Sequence, residues 1–266
     1  MTFELTRRAG PLVVSMPHVG TLIPEPLHGN YVERALAVED TDWHLDRFYD
    51  WLGEIDVTVI RPLHSRYVVD LNRPPDDAPM YPGAANTELC PTRFFTGDAL
   101  YGDGAGPDAR RRASRRDKYW APYHAALRTE LERVREAHGY VLLWDAHSIR
   151  SRIPWLFEGR LPDLNVGTAD GRSADATVAD AIATAAAATP EFTHVLNGRF
   201  KGGYITRHYG DPARNIHAVQ LEMCQCLYMQ EEPPFAYDAG RAARVQPVVR
   251  DMMQAALAAC EALHAG

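Results

Sequence analysis

Short apolar runs that break abruptly into polar residues recur along this chain, and segments of helical spacing lie between them. Residues 12–16 run into Pro17 and His18, residues 140–144 into Asp145, His147 and Ser148, and residues 218–221 into Glu222. Each run is β-prone and too short for a buried helix, which predicts central strands whose ends carry chemistry. Residues 57–60, 67–71 and 193–196 also read as strands. Helical periodicity appears in Leu45, Phe48, Tyr49 and Leu52, and over residues 108–138, with Tyr123, Leu127, Leu131 and Val134 on one face. That second helix is interrupted near Pro122 and stopped by Gly139. An alanine-rich helix at 175–188 and a last helix at 239–265 complete the series. The alternation, with no linker or repeat, predicts one α/β domain over residues 1–266, its mixed, largely parallel sheet flanked by helices.

Three stretches fall outside this pattern. Pro74, Pro75, Pro79, Pro82 and Pro91 mark an irregular loop placed to roof a site, and residues 152–172 read as a loop too irregular for a core element. Residues 197–210 are glycine-rich, with Lys201, Arg207 and His208 available to an anion. They lack the spacing of a P-loop or dinucleotide fingerprint.

Charge narrows the partners. With 28 Lys+Arg against 35 Asp+Glu the net charge is -7, which argues against nucleic acid or an anionic membrane as the main partner. An acidic ligand therefore needs a local cluster of arginines. The basic run from Arg110 to Arg116 reads as a solvated helix face. The N-terminal residues lack the apolar core of a signal peptide, and no run approaches membrane-spanning length, so a cytoplasmic protein is expected. Cys90, Cys224, Cys226 and Cys260 form no CxxC or paired framework and read as reduced, small apolar filler. Oligomeric state is not legible.

Ligands in open α/β sheets gather beyond the carboxyl ends of the strands. His18 and His147 stand at two such ends. Asp42 precedes the helical spacing that begins at Leu45, where Asp40 or Thr41 could cap and Asp42 could either favour the first turn or ligate a metal. Two histidines and a carboxylate with an open fourth position form the ligand set of catalytic zinc, and His18, Asp42 and His147 fit it. Asp145, two residues before His147, shares its strand face and could orient the imidazole. Glu222 puts a carboxylate where apolar residues would continue, so it calls for a cation or a catalytic task. Arg66 and Arg73 bracket one short run, and Asn72 with Arg73 makes a donor fork suited to a carboxylate. A serine nucleophile at Ser15 or Ser148 lacks the GxSxG elbow.

These stretches together carry a resemblance. Residues 15–20, 40–43, 65–73, 144–150, 200–203 and 220–222 make the chain similar to the N-formylglutamate amidohydrolases, a family related to zinc carboxypeptidases and aspartoacylase. The resemblance implies a carboxypeptidase-like fold and hydrolysis of N-formyl-L-glutamate, a small acidic N-acyl amino acid, as the last step of one histidine-degradation route. It also implies zinc on His18, Asp42 and His147, Glu222 as general base, Arg66 at the oxyanion, and Asn72 and Arg73 on a substrate carboxylate, with Arg207 or Arg150 serving the other. The Asp70-to-Arg73 stretch matches the relatives' carboxylate-gripping motif as written. Where those relatives have HxxE, Thr21 stands in the Glu position. Another N-acyl acidic amino acid as substrate, or a non-catalytic binder of acidic amino acids, remains an alternative.

Overall fold

The computed structural model describes residues 1–80 and 86–264, which leaves Pro82 and Ala265 of the expected elements outside the described residues. A seven-stranded sheet has the order β1-β3-β2-β4-β7-β5-β6. β2 (Leu12–Ser15), β3 (Val57–Pro62), β4 (Val141–Ile149) and β7 (Ile216–Cys224) run parallel at its centre. β1 (Phe3–Thr6) closes one edge antiparallel to β3, and β5 (Leu164–Gly167) lies antiparallel to β7 and parallel to β6 (His194–Leu196) at the other. β4 and β7 are buried along their whole length, because helices cover both faces there.

Alternation along the strands sorts the core. Leu12, Val14, Leu142, Trp144, Val219 and Leu221 pack on one face against α4 (Ala176–Ala187) and α6 (Ala239–His264). Val13, Val141, Leu143 and Ala218 pack on the other against Tyr123, Leu127, Leu131 and Val134 of α3 (Ala121–His138). Burial of each such large side chain stabilises by roughly 1.5–3 kcal/mol. The chemistry lies on the α3 side, since Asp145 and His147 continue the parity of Val141 and Leu143, and His147 pairs in register with Glu222.

Local signals hold where they rest on caps and stops. Asp108 caps α2 (Ala109–Arg115) by accepting from Arg111 N at 2.7 Å, a π-turn at Arg116–Trp120 joins it to α3, and Gly139 ends α3 at φ 80°. Asp175 caps α4 through Thr177 N. No described helix is long and apolar enough to cross a membrane.

Five expectations change. Residues 67–71 form no strand but a chain of turns, with Val68 N on Ser65 O and Arg73 N on Asp70 O. Their apolar side chains divide between two clusters, Tyr67 in one and Val68, Val69 and Leu71 in the other, so the run is buried on all sides without a sheet partner. Residues 152–172 contain β5, which Asp163, Asn165 and Gly167 disguise; Asn165 earns its interior place by donating to Pro162 O and Glu222 O. The glycine-rich stretch contains α5 (Tyr204–Tyr209). Arg115 is not solvated but buried, donating to Tyr101 Oη at 2.7 Å. Asp40 caps no helix: its carboxylate takes Tyr67 Oη, Phe95 N and Arg150, and α1 (Leu45–Phe48) follows His44 at φ 59° instead.

Candidate active site

The ends of β2, β4 and β7 open into one cavity. His18, Asp42, Arg66, Asn72, Arg73, His147 and Glu222 all line it. His18 follows β2 directly, and the chain beyond it is clamped: a side chain on Gly20 would meet His64 O at 2.3 Å, so only glycine allows this approach. Asp42 is held to the same place by its own amide, which donates to His18 O at 3.0 Å.

Hydrogen bonds fix both imidazoles. His18 Nε2 donates to Asp70 Oδ1 at 2.7 Å, while His147 Nε2 is hydrogen-bonded to Asn72 Nδ2 at 3.0 Å and lies 3.1 Å from Asp145 Oδ2. An ionised carboxylate only accepts, so His18 carries a proton on Nε2, and in both rings Nδ1 is the nitrogen turned toward Asp42. There Asp42 Oδ2 lies 3.9 Å from His18 Nδ1 and 3.4 Å from His147 Nδ1, and it accepts from Ser148 N at 3.1 Å. The three ligand atoms lie within 4.8 Å of one another. Two inward nitrogens and one carboxylate oxygen, with each imidazole backed by an aspartate, suit a zinc ion in donor type, spacing and outer support.

The electrostatics agree with a cation site. Burial alone would lower His147, but Asp145, Asp42 and Glu222 raise it well above the usual imidazole range. His18 goes the other way, lowered by burial and Arg66 against the pull of Asp70 and Asp42. Asp70 is driven up by burial yet held well below the carboxylate range by His18, Arg66 and Arg73. Burial pushes Glu222 up to about 8, with Asp42 and Asp145 adding to it and His147 and Arg66 opposing. Asp42, Asp70, Asp145 and Glu222 are four buried carboxyl groups, with the guanidiniums of Arg66 and Arg73 acting on Asp70.

The arginines are sorted by packing. Arg66 Nη2 donates to Asp70 Oδ2 at 2.6 Å, with its guanidinium 4.7 Å above the Phe95 ring. Arg73 Nε donates to Thr87 O at 3.0 Å and Nη1 to Asn72 O at 2.8 Å, so the side chain is braced at the cavity wall. Arg150 turns away to Asp40 Oδ1 at 2.6 Å, and Arg207 Nε donates to Gly202 O at 2.7 Å; neither lines the cavity. Asn72 lines it but has its amide engaged: Oδ1 accepts from Ile205 N at 2.8 Å, and Nδ2 lies 3.4 Å from Asp145 Oδ2 and 3.0 Å from His147 Nε2. Ser15 is enclosed between Tyr123 and Asp145, and Ser148 Oγ accepts from Tyr228 Oη at 2.6 Å.

Sequence reading passed over Arg199, Gln220 and Thr87, all on the cavity wall. Arg199 adjoins residues 200–203, already singled out, but the glycine-rich stretch offered several cations and no means of ranking them. Asn86 and Thr87 belong to the proline-rich stretch and do line the cavity. Lys201 pairs with Asp170 at 3.0 Å, and His208 stacks on Tyr204 with ring centroids 4.7 Å apart.

Comparison with known proteins supplies the family. The N-formylglutamate amidohydrolase family model matches residues 10–229. The chain is 48% identical over 248 residues to N-formylglutamate deformylase of Pseudomonas putida, covering 93% of this chain and 92% of that protein. It is 49% identical to the Pseudomonas aeruginosa PAO1 protein of that name, covering 93% of each. A crystal structure of N-formylglutamate amidohydrolase from Ralstonia eutropha JMP134 superposes with a TM-score of 0.79 at 24% identity, covering 98% of this chain and 97% of that one. The chain belongs to the N-formylglutamate amidohydrolase family.

Proposed function

We propose that this chain is a zinc-dependent deformylase that converts N-formyl-L-glutamate and water to formate and L-glutamate, the last step of one histidine-degradation route. The observation that carries the reading is the pair of imidazole Nδ1 atoms turned onto Asp42 Oδ2 in the cavity that Glu222 lines. His18, Asp42 and His147 would hold the ion, and zinc so held acidifies water and polarises an amide carbonyl.

The chain's own residues do the rest. Glu222 takes a proton from the attacking water and passes it to the departing amine nitrogen. The same group accepts the proton as a carboxylate and returns it as a carboxylic acid. The formyl C–N bond breaks, the water oxygen joins the formyl carbon, and the proton count closes on formate and an ammonium. Arg66, fixed by Asp70 and Phe95, faces the cavity with a permanent positive charge for the oxygen that becomes anionic. Asp70 therefore serves two functions, orienting His18 and anchoring Arg66.

Metal analysis of purified protein, run beside a formate-release assay on N-formylglutamate, tests the reading. About one zinc per chain and loss of activity on chelation, restored by added zinc, are expected. Metal-free protein with full activity would end it.

A further inference from the structure

N-formylglutamate presents its reacting carbon at one end and two carboxylates at different reach from it. The α-carboxylate is attached next to the scissile nitrogen, and the side-chain carboxylate lies two methylenes further. A pocket that selects this molecule therefore needs a near and a far anion anchor joined by an apolar strip. The cavity wall has three guanidiniums among its described residues, those of Arg66, Arg73 and Arg199. Arg66 is committed to Asp70 at the floor, beside His18. Arg73 follows Asn72, whose amide touches His147 Nε2 at 3.0 Å, so its backbone is tied close to the reacting centre. Of its five N–H groups, Nε, one on Nη1 and one on Nη2 are used on Thr87 and Asn72. Two donors remain.

Arg199 belongs to a different wall. Its Nη2 donates to Leu156 O at 3.1 Å and its guanidinium lies 5.4 Å from the Phe200 ring centroid, so backbone and ring orient it. Leu156 and Phe200 line the cavity beside it, and Phe157 packs edge-on against Phe200. Arg199, Phe200 and Leu156 are half-buried, as Arg73 is, whereas His18, Asp42, His147 and Glu222 are buried, which puts this wall nearer the mouth than the reacting centre. It is an apolar strip that ends in a cation.

We infer that Arg199 is the specificity-determining residue for the substrate's side-chain carboxylate, with the two methylenes lying along Leu156 and Phe200 and the α-carboxylate on Arg73. The inference rests on the N-formyl amino acid reading above. It is tested by kcat/KM for formate release from N-formylglutamate and N-formylglutamine, which differ only in the far group, with wild type, Arg73→Ala, Arg199→Ala and Arg199→Lys. Arg199→Ala should lower kcat/KM for N-formylglutamate ~10²-fold, mostly through KM, and leave N-formylglutamine within a few-fold, since the lost contact is one to a charged group. Arg199→Lys should recover part of the loss, because an ammonium supplies charge without the planar fork. Arg73→Ala should lower both substrates together. Activity on N-formylglutamine shows that the Arg199 variants are folded, and unchanged zinc content shows it for Arg73→Ala. Equal losses on both substrates in Arg199→Ala, or none, would overturn the assignment and leave the deformylase reading standing. A wild type inert on every N-formyl amino acid would remove both.

Discussion

His147 and His124 are hidden from solvent to the same degree, 3% and 1% exposed, yet burial has opposite consequences for them. His124 sits on α3 against the ring of Trp120, 3.8 Å between centroids, with Tyr204 and Tyr209 around it. Its Nε2 donates to Leu71 O at 2.8 Å and its Nδ1 faces Tyr209 Oη at 2.9 Å, so both nitrogens are satisfied by neutral groups. Burial drives it down to about 3. His147 sits at a strand end among Asp145, Asp42 and Glu222, which raise it well above the usual range. The residue type and the burial are shared, and the count of carboxylates in contact decides the outcome. One histidine ties a helix to the turn that carries Asp70 to Arg73. The other turns Nδ1 onto the Asp42 carboxylate 3.4 Å away, at the proposed cation site.

The sharpest way to break this comparison is to delete each imidazole. His147→Ala and His18→Ala should each lose bound zinc and measurable turnover, since each removes a ligand from the proposed three-ligand site. His124→Phe should keep zinc stoichiometry and turnover near wild type. Metal analysis after gel filtration distinguishes them; zinc retained in His147→Ala at wild-type affinity would sink the ligand assignment. Next in size, Glu222→Gln should keep the zinc and lower kcat by about 10²- to 10⁴-fold, the usual cost of losing a general base. If the metal left with it, Glu222 would be a ligand rather than a base.

The elements that position the site were legible where one signal governs. β4 and β7 are apolar runs interrupted by Asp145, His147 and Glu222, and buried groups of that kind call for a partner or a task. α3 and α4 declare themselves by face, cap and stop. What failed depends on partners distant in the chain. Residues 67–71 satisfy every strand criterion but find apolar clusters instead of a strand edge. β5 violates those criteria at Asn165 because Pro162 O and Glu222 O receive its amide. The arginines illustrate the same limit. Arg150 follows His147 by three residues and yet turns to Asp40, while Arg199, fifty-two residues away, reaches the cavity wall. Side-chain direction in a loop is set by tertiary contacts that spacing does not encode.

A milder change probes the outer support of the imidazoles. Asp70→Asn keeps the shape but weakens both the bond to His18 Nε2 and the ion pair to Arg66. Losing such a partner costs about 10- to 100-fold in metal affinity. A competitive chelator titration should show that shift, with kcat at saturating zinc reduced as well because Arg66 is loosened. Unchanged zinc affinity would mean that Asp70 orients Arg66 alone.

The smallest effect on turnover belongs to His124, whose contribution should appear only in acid stability. In the folded chain its pKa is lowered to about 3, against 6.5 for the ordinary residue. Between those values the unfolded chain binds a proton that the folded chain refuses, so this group's contribution is fully present above pH 6.5 and is lost as pH falls toward 3. The slope is about 1.4 kcal/mol per pH unit, or on the order of 2 kcal/mol between pH 6.5 and pH 5. Urea midpoints of zinc-replete wild type and His124→Phe, measured at both pH values, isolate it, because the remaining titrating groups are common to the two proteins. His124→Phe gives up the bonds to Leu71 O and Tyr209 Oη and should be the less stable at pH 7, while preserving the stack on Trp120. Acidification should then narrow the gap between the two. Parallel loss in both proteins would show that His124 does not stay neutral through this range, and the contrast with His147 would reduce to geometry.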